Sequence, residues 1–290
     1  MKRNVLNSPG LLELKKRRNK VFLNKTLVFL FGLLLIFLFL VFLSRLNSVN
    51  ISKVDILGNK VLETEILTNA VKKQINGKYL WIFPKTNIFI YPKNTIEKEL
   101  QNEFKRIKNI NSVIENTKTL EISLVEREAK YTWCGEMPDQ AMKPLETSGF
   151  IAEDRKCFFL DEDGYIFDEA PYFSGNIYFR FYGIQSDFYF SKENFKKFIS
   201  FKDTLIGIGL KPVALYVTNN GDIQIFLLSG TSFETAPKII LKADADFQNV
   251  AENLQAALDT EPLKSKFKNK YSTLEYIDLR FGNKVYDKFK

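Results

Sequence analysis

Few residues of this chain have the types and spacing that chemistry needs. The 290 residues include no histidine, which removes the commonest general base and most transition-metal sites. Ser265 and Lys268 match the S-x-x-K spacing of penicillin-binding enzymes, but no S-D-N or K-T-G motif accompanies them. Gly207 and Gly209 form half of a dinucleotide fingerprint, and Pro212 stands where its third glycine belongs. We therefore expect a protein that is not an enzyme and that binds no cofactor or metal.

An acidic turn and a pair of thiols are the remaining candidates for a site. Asp161-Glu-Asp-Gly164 lacks the other ligands of a calcium loop, so we interpret it as a hairpin turn. Cys134 and Cys157 are the chain's two cysteines, and two thiols do not complete a zinc site. Outside the cytoplasm they could form a disulfide worth about 3 kcal/mol. We favour the disulfide over two unlinked, partly buried thiols.

Positive charge is concentrated at the N-terminus. Residues 1–25 contain eight of the 42 Lys and Arg residues and one acid, Glu13. They therefore carry +7 of the net charge of +8, and only +1 is left for the rest of the chain. A nearly neutral body argues against a nucleic-acid partner.

An uncharged segment follows the basic one. Thr26 to Leu43 is apolar all round, and a helix of about 18 residues reaches about 27 Å, enough for a thin bilayer core. The next residues, Ser44-Arg45-Leu46-Asn47, offer neither a small-x-small cleavage site nor a cysteine for lipid attachment. We predict an uncleaved membrane anchor rather than a signal peptide. The excess of Lys and Arg predicts that the tail is cytoplasmic and the body exported.

The first part of the body changes its hydrophobic period in a definite order. Residues 49–127 predict strand, helix, helix, strand, strand, with Gly58-Asn59 as the first turn. The predicted elements are a strand at Ile51–Leu57, helices at Val61–Ile75 and Asn94–Phe104, and strands at Ile107–Glu115 and Thr119–Glu126.

From Tyr131 onward the sequence is a series of strands separated by turn residues. Two helices interrupt it, at Ser191–Leu205 and at Asp246–Leu258, with Ser191 and Asp246 as caps. The predicted strands are Cys157–Leu160, Tyr165–Phe167, Ile177–Tyr182, Pro212–Thr218, Ile223–Leu228, Lys238–Lys242, Leu274–Phe281 and Lys284–Phe289. We therefore predict an α+β protein whose second domain is a large antiparallel β domain with two helices.

Short motifs at these boundaries resemble those of a known family. Val54-Asp-Ile-Leu-Gly-Asn59 and Leu120-Glu-Ile-Ser-Leu-Val-Glu-Arg127 resemble the boundary motifs of an FtsQ-type POTRA domain. Phe159-Leu-Asp-Glu-Asp-Gly-Tyr-Ile-Phe167 and Tyr276-Ile-Asp-Leu-Arg-Phe-Gly-Asn-Lys-Val-Tyr286 resemble the start and the end of the FtsQ/DivIB β domain. The order of the motifs, together with the anchor, makes the resemblance specific.

Two features depart from the family pattern. Glu128 stands where the family usually has proline, and the stretch Gly135 to Lys156 has no obvious counterpart. The resemblance implies a basic cytoplasmic tail at 1–25, a transmembrane helix at 26–44, a POTRA-like β-α-α-β-β domain at 49–128 and an FtsQ-type β domain at 129–290.

The resemblance also implies a function. FtsQ/DivIB proteins are single-pass proteins of the cytoplasmic membrane that act as scaffolds of the divisome at the septum. Their terminal strand holds the FtsB/DivIC and FtsL pair, and a bare strand edge is suited to such β-augmentation. Here, Arg280 would pair with a partner's acid and Phe281 would pack on apolar surface. The backbone of Asn283, Lys284, Val285 and Tyr286 would form the ladder. The alternative is that Arg280 forms an internal ion pair and Phe281 belongs to the core.

Two functions from other classes remain open. One is a membrane-anchored cell-wall enzyme, whose signature would be carboxylates that converge in a cleft. The other is a POTRA-bearing transport or chaperone component, which would be expected to carry several POTRA units or a membrane β-barrel.

Overall fold

A computed structural model describes residues 9–135, 156–171, 173, 175–183, 188–229 and 236–290. The stretch expected to be an insertion, 135–156, lies outside the described residues apart from its two ends. The chain divides into two compact units, Met1–Glu126 (unit 1) and Arg127–Lys290 (unit 2). The predicted α+β class is confirmed, with an apolar N-terminal helix and a large sheet.

Unit 1 contains the following elements: α1 (Pro9–Ser44), β1 (Lys53–Leu57), α2 (Thr64–Ile75), β2 (Lys78–Tyr79), β3 (Phe83–Pro84), α3 (Lys93–Glu103), β4 (Ile107–Glu115) and β5 (Thr119–Glu126). Unit 2 contains the following elements: β6 (Tyr131–Trp133), β7 (Cys157–Leu160), β8 (Ile166–Ala170), β9 (Arg180–Tyr182), α4 (Phe195–Gly207), β10 (Pro212–Val217), β11 (Asp222–Leu227), β12 (Lys238–Lys242), α5 (Phe247–Leu258), α6 (Leu263–Lys270), β13 (Leu274–Phe281) and β14 (Lys284–Phe289).

The first helix contains the predicted apolar segment. Its stretch Glu13–Ser44 is long and apolar enough to cross a membrane, and its most apolar part is not buried against the rest of the protein. This is compatible with a single-pass membrane protein. The helix begins at Pro9 and therefore also includes most of the predicted basic tail. Tail and span are one continuous helix over residues 9–44.

Unit 1 is built on a small sheet with the order β1-β5-β4 among its described strands. β1 runs parallel to β5, whereas β4 is antiparallel to it. Leu67, Val71 and Ile75 repeat every four residues and form the buried stripe of α2. They share one core with Ile96 and Leu100 of α3 and with alternate residues of β5. The strand–helix–helix–strand–strand order is the predicted one, with the short β2–β3 hairpin inserted between the helices.

The turn after β1 is fastened to the end of β5. Gly58 has φ +87°, and a Cβ on it would lie 2.1 Å from the carbonyl oxygen of Leu124. The Glu126 carboxylate accepts the backbone N–H groups of Lys60 at 2.7 Å and of Val61 and Leu62 at 3.0 Å. Burial alone would raise the pKa of Glu126, but these three hydrogen bonds outweigh it and leave the pKa below its ordinary value.

The residue after Glu126 has a different set of partners. Arg127 pairs with Asp161 and lies over the Tyr165 ring, 3.7 Å from its centroid. Asp161 is buried and also accepts the N–H groups of Asp163 and Tyr165, so it organises the predicted hairpin turn. Both charged residues of the Glu-Arg motif therefore hold turns, each within its own unit.

The described strands of unit 2 form one large sheet in the order β14-β13-β12-β11-β10-β9-β6-β7-β8. The prediction of an antiparallel domain was wrong, because three neighbouring pairs are parallel: β6 with β9, β9 with β10, and β12 with β13. Parallel neighbours need a crossover connection. α4 supplies it between β9 and β10, and α5 with α6 supplies it between β12 and β13.

The prediction of two helices was also wrong, because α6 is a further helix among the described residues. Leu263 and Phe267 are its only apolar residues, which are too few for a hydrophobic period to predict a helix. The S-x-x-K pair lies on this helix, where the Ser265 hydroxyl donates to Glu261 at 2.7 Å. α5 begins at the predicted cap, because the Asp246 carboxylate accepts the N–H groups of Gln248 and Asn249. α4 begins at Phe195, four residues after its expected cap.

A disulfide joins Cys134 and Cys157. Cys134 follows β6 directly, and Cys157 is the first residue of β7. β6 and β7 are antiparallel with Trp133 opposite Phe158, so the two cysteines are the next facing pair, with Cα atoms 4.1 Å apart. The bond closes the end of this ladder.

Two glycines of unit 1 provide a matched test of the close approach at Gly58. We expect Gly58→Ala to destabilise unit 1 by more than about 2 kcal/mol, because the left-handed φ costs about 1–2 kcal/mol and the Leu124 carbonyl adds a clash. Gly77→Ala should cost only the conformational part, because Gly77 has φ +98° but no atom within 4 Å of an added Cβ. Amide hydrogen exchange of β1 and β5 in the full chain measures both, and equal losses would contradict the clash.

The disulfide has a measurable effect on unit 2. We expect the double variant Cys134→Ser, Cys157→Ser to have a free energy of unfolding about 3 kcal/mol lower, because its unfolded chain is no longer restricted by the closed loop. Thermal unfolding with and without reductant is the measurement. Reductant should destabilise the original protein and leave the double variant unchanged. Two freely labelled thiols in the unreduced protein would contradict the bond.

Candidate partner-binding edge

The last two strands form a hairpin at one edge of the large sheet. β13 and β14 are antiparallel, with Phe281 opposite Lys284 across the turn Gly282-Asn283. Only Gly282 of this turn has positive φ (+64°), as in a type II′ hairpin. Within the described ranges, β14 pairs with β13 and with no strand on its other side. The outward N–H and C=O groups of β14 are therefore available to a further strand.

The two faces of β14 differ. Val285 and Phe289 pack against the main core of unit 2, and Asp287 pairs with Lys266 of α6 at 3.0 Å. Lys284, Tyr286 and Lys288 alternate with them and are exposed. One face thus fixes the strand in the unit, while its edge and other face remain accessible.

An exposed aromatic pair lies beside this edge. Phe281 is 55% exposed and Tyr286 is 48% exposed. Their rings meet edge to face with centroids 5.4 Å apart. A register shift between Asp278 and Phe281 accompanies this arrangement. The pair offers apolar surface next to free backbone groups, which is the combination that β-augmentation uses.

Arg280 forms an ion-pair network inside unit 2. Its Nη2 and Nε donate to the two carboxylate oxygens of Asp278 at 2.6 and 2.9 Å, and its Nη1 donates to Asp222 at 2.6 Å. Asp278 is only 6% exposed. The network links β13 to β11 across the end of β12. Fork-shaped pairing of this kind is strong and geometrically specific.

The network shifts the pKa values of both main partners. Burial alone would raise the pKa of Asp278, but hydrogen bonds from the Arg280 side chain and backbone outweigh it and lower the pKa. The hydrogen bonds that Arg280 donates to Asp278 and Asp222 raise its pKa. Asp278 is therefore held as a carboxylate and Arg280 as a cation.

The structure distributes the predicted site residues over two strands and a turn. Lys284, Val285 and Tyr286 lie on the edge strand itself, whereas Arg280 and Phe281 end the neighbouring strand. Asn283 lies in the turn, where its side-chain oxygen accepts a weak hydrogen bond from Asn253 at 3.4 Å. Arg280 forms the internal ion pair of the alternative interpretation, but Phe281 is not core. The roles of all six residues in partner binding stay predictions.

Sequence reasoning missed Asp222. The sequence alone assigns it no role, and in the structure it is the first residue of β11. Its meeting with Arg280 depends on β11, β12 and β13 being neighbours, and no local pattern contains that order. The pairing of Phe281 with Tyr286 was also missed, because the register shift that accompanies it has no sequence signal of its own.

Other strand edges in the described chain are less suited to a partner or lie in unit 1. β8 ends the large sheet on the other side, and Ile166, Phe167 and Ala170 are buried there. β4 is an edge of the small sheet, with Val113 48% exposed. Val113 provides a matched control position on a second edge strand.

Neither a protein-family model nor a curated protein matches the chain. The resemblance to FtsQ/DivIB proteins therefore rests on the motifs and their order.

The free energy of unfolding of unit 2 should change with pH in the acid range because of Asp278. We expect Asp278→Asn to lower the free energy of unfolding by about 2 kcal/mol near neutral pH, because charged hydrogen bonds to Arg280 are lost. A carboxyl with a lowered folded pKa stabilises above its ordinary pKa of about 3.9 and loses that effect as pH falls through the folded value.

The measurement is chemical unfolding at several pH values. The difference between the original protein and Asp278→Asn should shrink as pH falls below about 4 and through the lowered pKa of Asp278. Asp259→Asn, at an exposed position after α5, is the control and should show little effect at any pH. A difference that stays constant with pH would contradict the assigned role of the Asp278 charge.

Proposed function

We propose that this chain is a scaffold of the bacterial cell-division machinery, anchored in the cytoplasmic membrane by α1 and binding other divisome proteins through its exported units. The observation that carries the proposal is the accessible edge of β14 beside the exposed Phe281–Tyr286 pair. A single apolar helix that follows a basic segment supports the anchored topology.

The architecture of unit 1 supports the same family. Its order β1, α2, α3, β4, β5 is the order that the resemblance implies for a POTRA-like domain. Two of the residues that carry the boundary motifs have definite structural roles there. Gly58 allows the backbone of β1 to approach β5, and Glu126 binds the turn that follows Gly58. Similar motifs in similar places favour a common fold.

The surface chemistry of the hairpin favours an extended partner segment with apolar and acidic side chains. A strand added to β14 would gain backbone hydrogen bonds, and its side chains would meet Tyr286 and Phe281. Lys284 lies on the same face as Tyr286 and favours an acidic residue nearby, whereas Lys288 on that face already pairs with Glu275 at 2.6 Å. We propose a segment of an FtsB/DivIC-like protein, held together with an FtsL-like protein, as this strand.

In this proposal Arg280 supports the binding edge from within unit 2. Three of its nitrogens already bind Asp278 and Asp222, so a partner's acid would have to share the guanidinium with them. Its main contribution is to hold β13, and with it the hairpin, in the sheet. The aromatic pair and the backbone of β14 supply the contact surface.

The proposal predicts a loss of partner binding on adding charge to the edge. The full chain is co-expressed with the FtsB/DivIC-like and FtsL-like proteins of the same bacterium and purified from detergent-solubilised membranes. We expect Tyr286→Lys to reduce the co-purified pair by about tenfold or more, because a charge at the edge opposes strand addition. Val113→Lys on the edge strand of unit 1 is the matched control and should retain the pair.

Each outcome bears on a different part of the proposal. If Val113→Lys loses the partner pair and Tyr286→Lys retains it, the β14 site is overturned and binding is assigned to unit 1. No co-purification with any form, original protein included, would overturn the scaffold function. Circular dichroism of each variant separates lost binding from lost folding. A truncation after Leu279 would be less informative, because it also removes Arg280 and its network.

A further inference from the structure

One loop of unit 1 presents large apolar side chains to solvent. The juxtamembrane loop, residues 78–90, includes Leu80 and Phe89, each 80% exposed, and Trp81, 91% exposed. Single exposed apolar residues are common on protein surfaces, but several in one short loop mark an interaction site. The loop contains β2 and β3 and belongs to the same unit as α1.

Contacts fix this loop beside the end of α1. The Phe83 ring meets the Phe37 ring of α1 edge to face, with centroids 6.1 Å apart. Asn87 is buried, and its Nδ2 donates to both the carbonyl and the hydroxyl oxygen of Ser44, each at 3.2 Å. Asn50 also donates to the Ser44 carbonyl at 3.0 Å and accepts from Thr86 at 2.8 Å. The loop is therefore attached to the last turns of the apolar helix.

The contact with Phe37 gives the depth of the loop. Phe37 precedes the last residue of α1 by seven positions, which is about 10 Å along a helix. A ring in contact with Phe37 lies alongside the apolar part of α1, not beyond it. In the proposed topology, Phe83 therefore lies within the outer half of the apolar layer, while the contact of Asn87 with Ser44 lies at its outer end.

The backbone at the tip holds the two most prominent side chains outward. Leu80 has φ 47° and Trp81 has φ 65°, a left-handed conformation that costs non-glycine residues about 1–2 kcal/mol each. Neither side chain is buried within unit 1 in return. Backbone in such sparsely populated conformations is concentrated at functional sites.

The polar groups around the loop suit a lipid headgroup layer. Lys78 and Lys85 flank the tip, and the Lys85 ammonium is 5.7 Å from the centre of the Tyr79 ring. Arg45 follows α1 directly, with its Nη2 3.5 Å from the carbonyl oxygen of Ile82. Cations beside aromatic rings match the phosphate and interfacial layers of a bilayer, in which Trp and Tyr are enriched.

We propose that the juxtamembrane loop docks into the outer face of the same bilayer that α1 spans, with Leu80 and Trp81 inserted at the interface. This inference rests on the proposed membrane topology. It gives unit 1 a second attachment to the membrane. Lipid, rather than a partner protein, is the occupant because the loop is held at the level of the apolar helix and is flanked by cations.

The chain's two tryptophans allow a direct test. Trp133→Phe leaves Trp81 as the single tryptophan of the full chain, reconstituted in vesicles of phosphatidylethanolamine and phosphatidylglycerol. We expect lipid-attached doxyl groups to quench Trp81 strongly and dissolved iodide to quench it about threefold less than it quenches free tryptophan amide. Trp81→Phe leaves Trp133 as the control, for which lipid-attached groups should have little effect because its indole packs against the core of unit 2 and donates to the carbonyl of Gly183.

A third protein separates this inference from the topology on which it rests. Trp81→Phe, Trp133→Phe, Phe39→Trp places the single tryptophan within α1. Lipid quenching of residue 39 with no lipid quenching of Trp81 would overturn the loop proposal and leave the span standing. No lipid quenching of either would overturn both. If Trp81 is protected from iodide only when the partner pair is co-expressed, the loop binds a protein rather than lipid, which would also overturn the proposal.

Discussion

The need to pair backbone N–H and C=O groups governs how this protein is built and where it can bind. Among the described residues, the inner strands of the two larger sheets have a neighbouring strand on both sides, and their outer strands have one on a single side. In unit 2 the two outer strands differ, because β8 has mostly buried side chains whereas β14 exposes every second one. The strand order therefore concentrates unused hydrogen-bonding capacity at the chain's last hairpin.

Buried carboxylates hold the turns and strand ends around these sheets. Glu126 binds three backbone N–H groups after β1, Asp161 organises the β7–β8 turn, and Asp278 holds Arg280. In each case a charge that would be costly to bury alone receives several hydrogen bonds. These carboxylates thus contribute to folding, and all three belong to the motifs that resemble those of the family.

Local patterns in the sequence were enough for much of the fold. The apolar helix, the element order of unit 1 and the cap at Asp246 follow from charge, hydrophobic period and capping chemistry, all of which act within a few residues. The mixed sheet does not, because parallel pairing of β12 with β13 depends on residues far apart in sequence. α6 was missed because Leu263 and Phe267 alone give too weak an apolar stripe.

The candidate site was only partly predictable for the same reason. The use of the last strand as a partner-binding edge was implied by the family resemblance, and the Asp278-Leu-Arg280 motif is evident in the sequence. The partner of Arg280 on β11 and the ring contact between Phe281 and Tyr286 arise from strand order and from a shifted register. Neither leaves a pattern within a single segment.

The continuity of α1 has a consequence for the cytoplasmic side. A helix from Pro9 to Ser44 is about 54 Å long, and a bilayer core takes up only about 30 Å of it. In the proposed topology the basic residues are carried on a rigid rod rather than on a loose tether. Arg17, nine positions before Thr26, would stand about 13 Å from the apolar segment, and the headgroup layer takes up about 5–8 Å of that distance. Lys25 would lie among the headgroups, whereas the cations at Lys15 to Arg18 would be held at the cytoplasmic border of that layer.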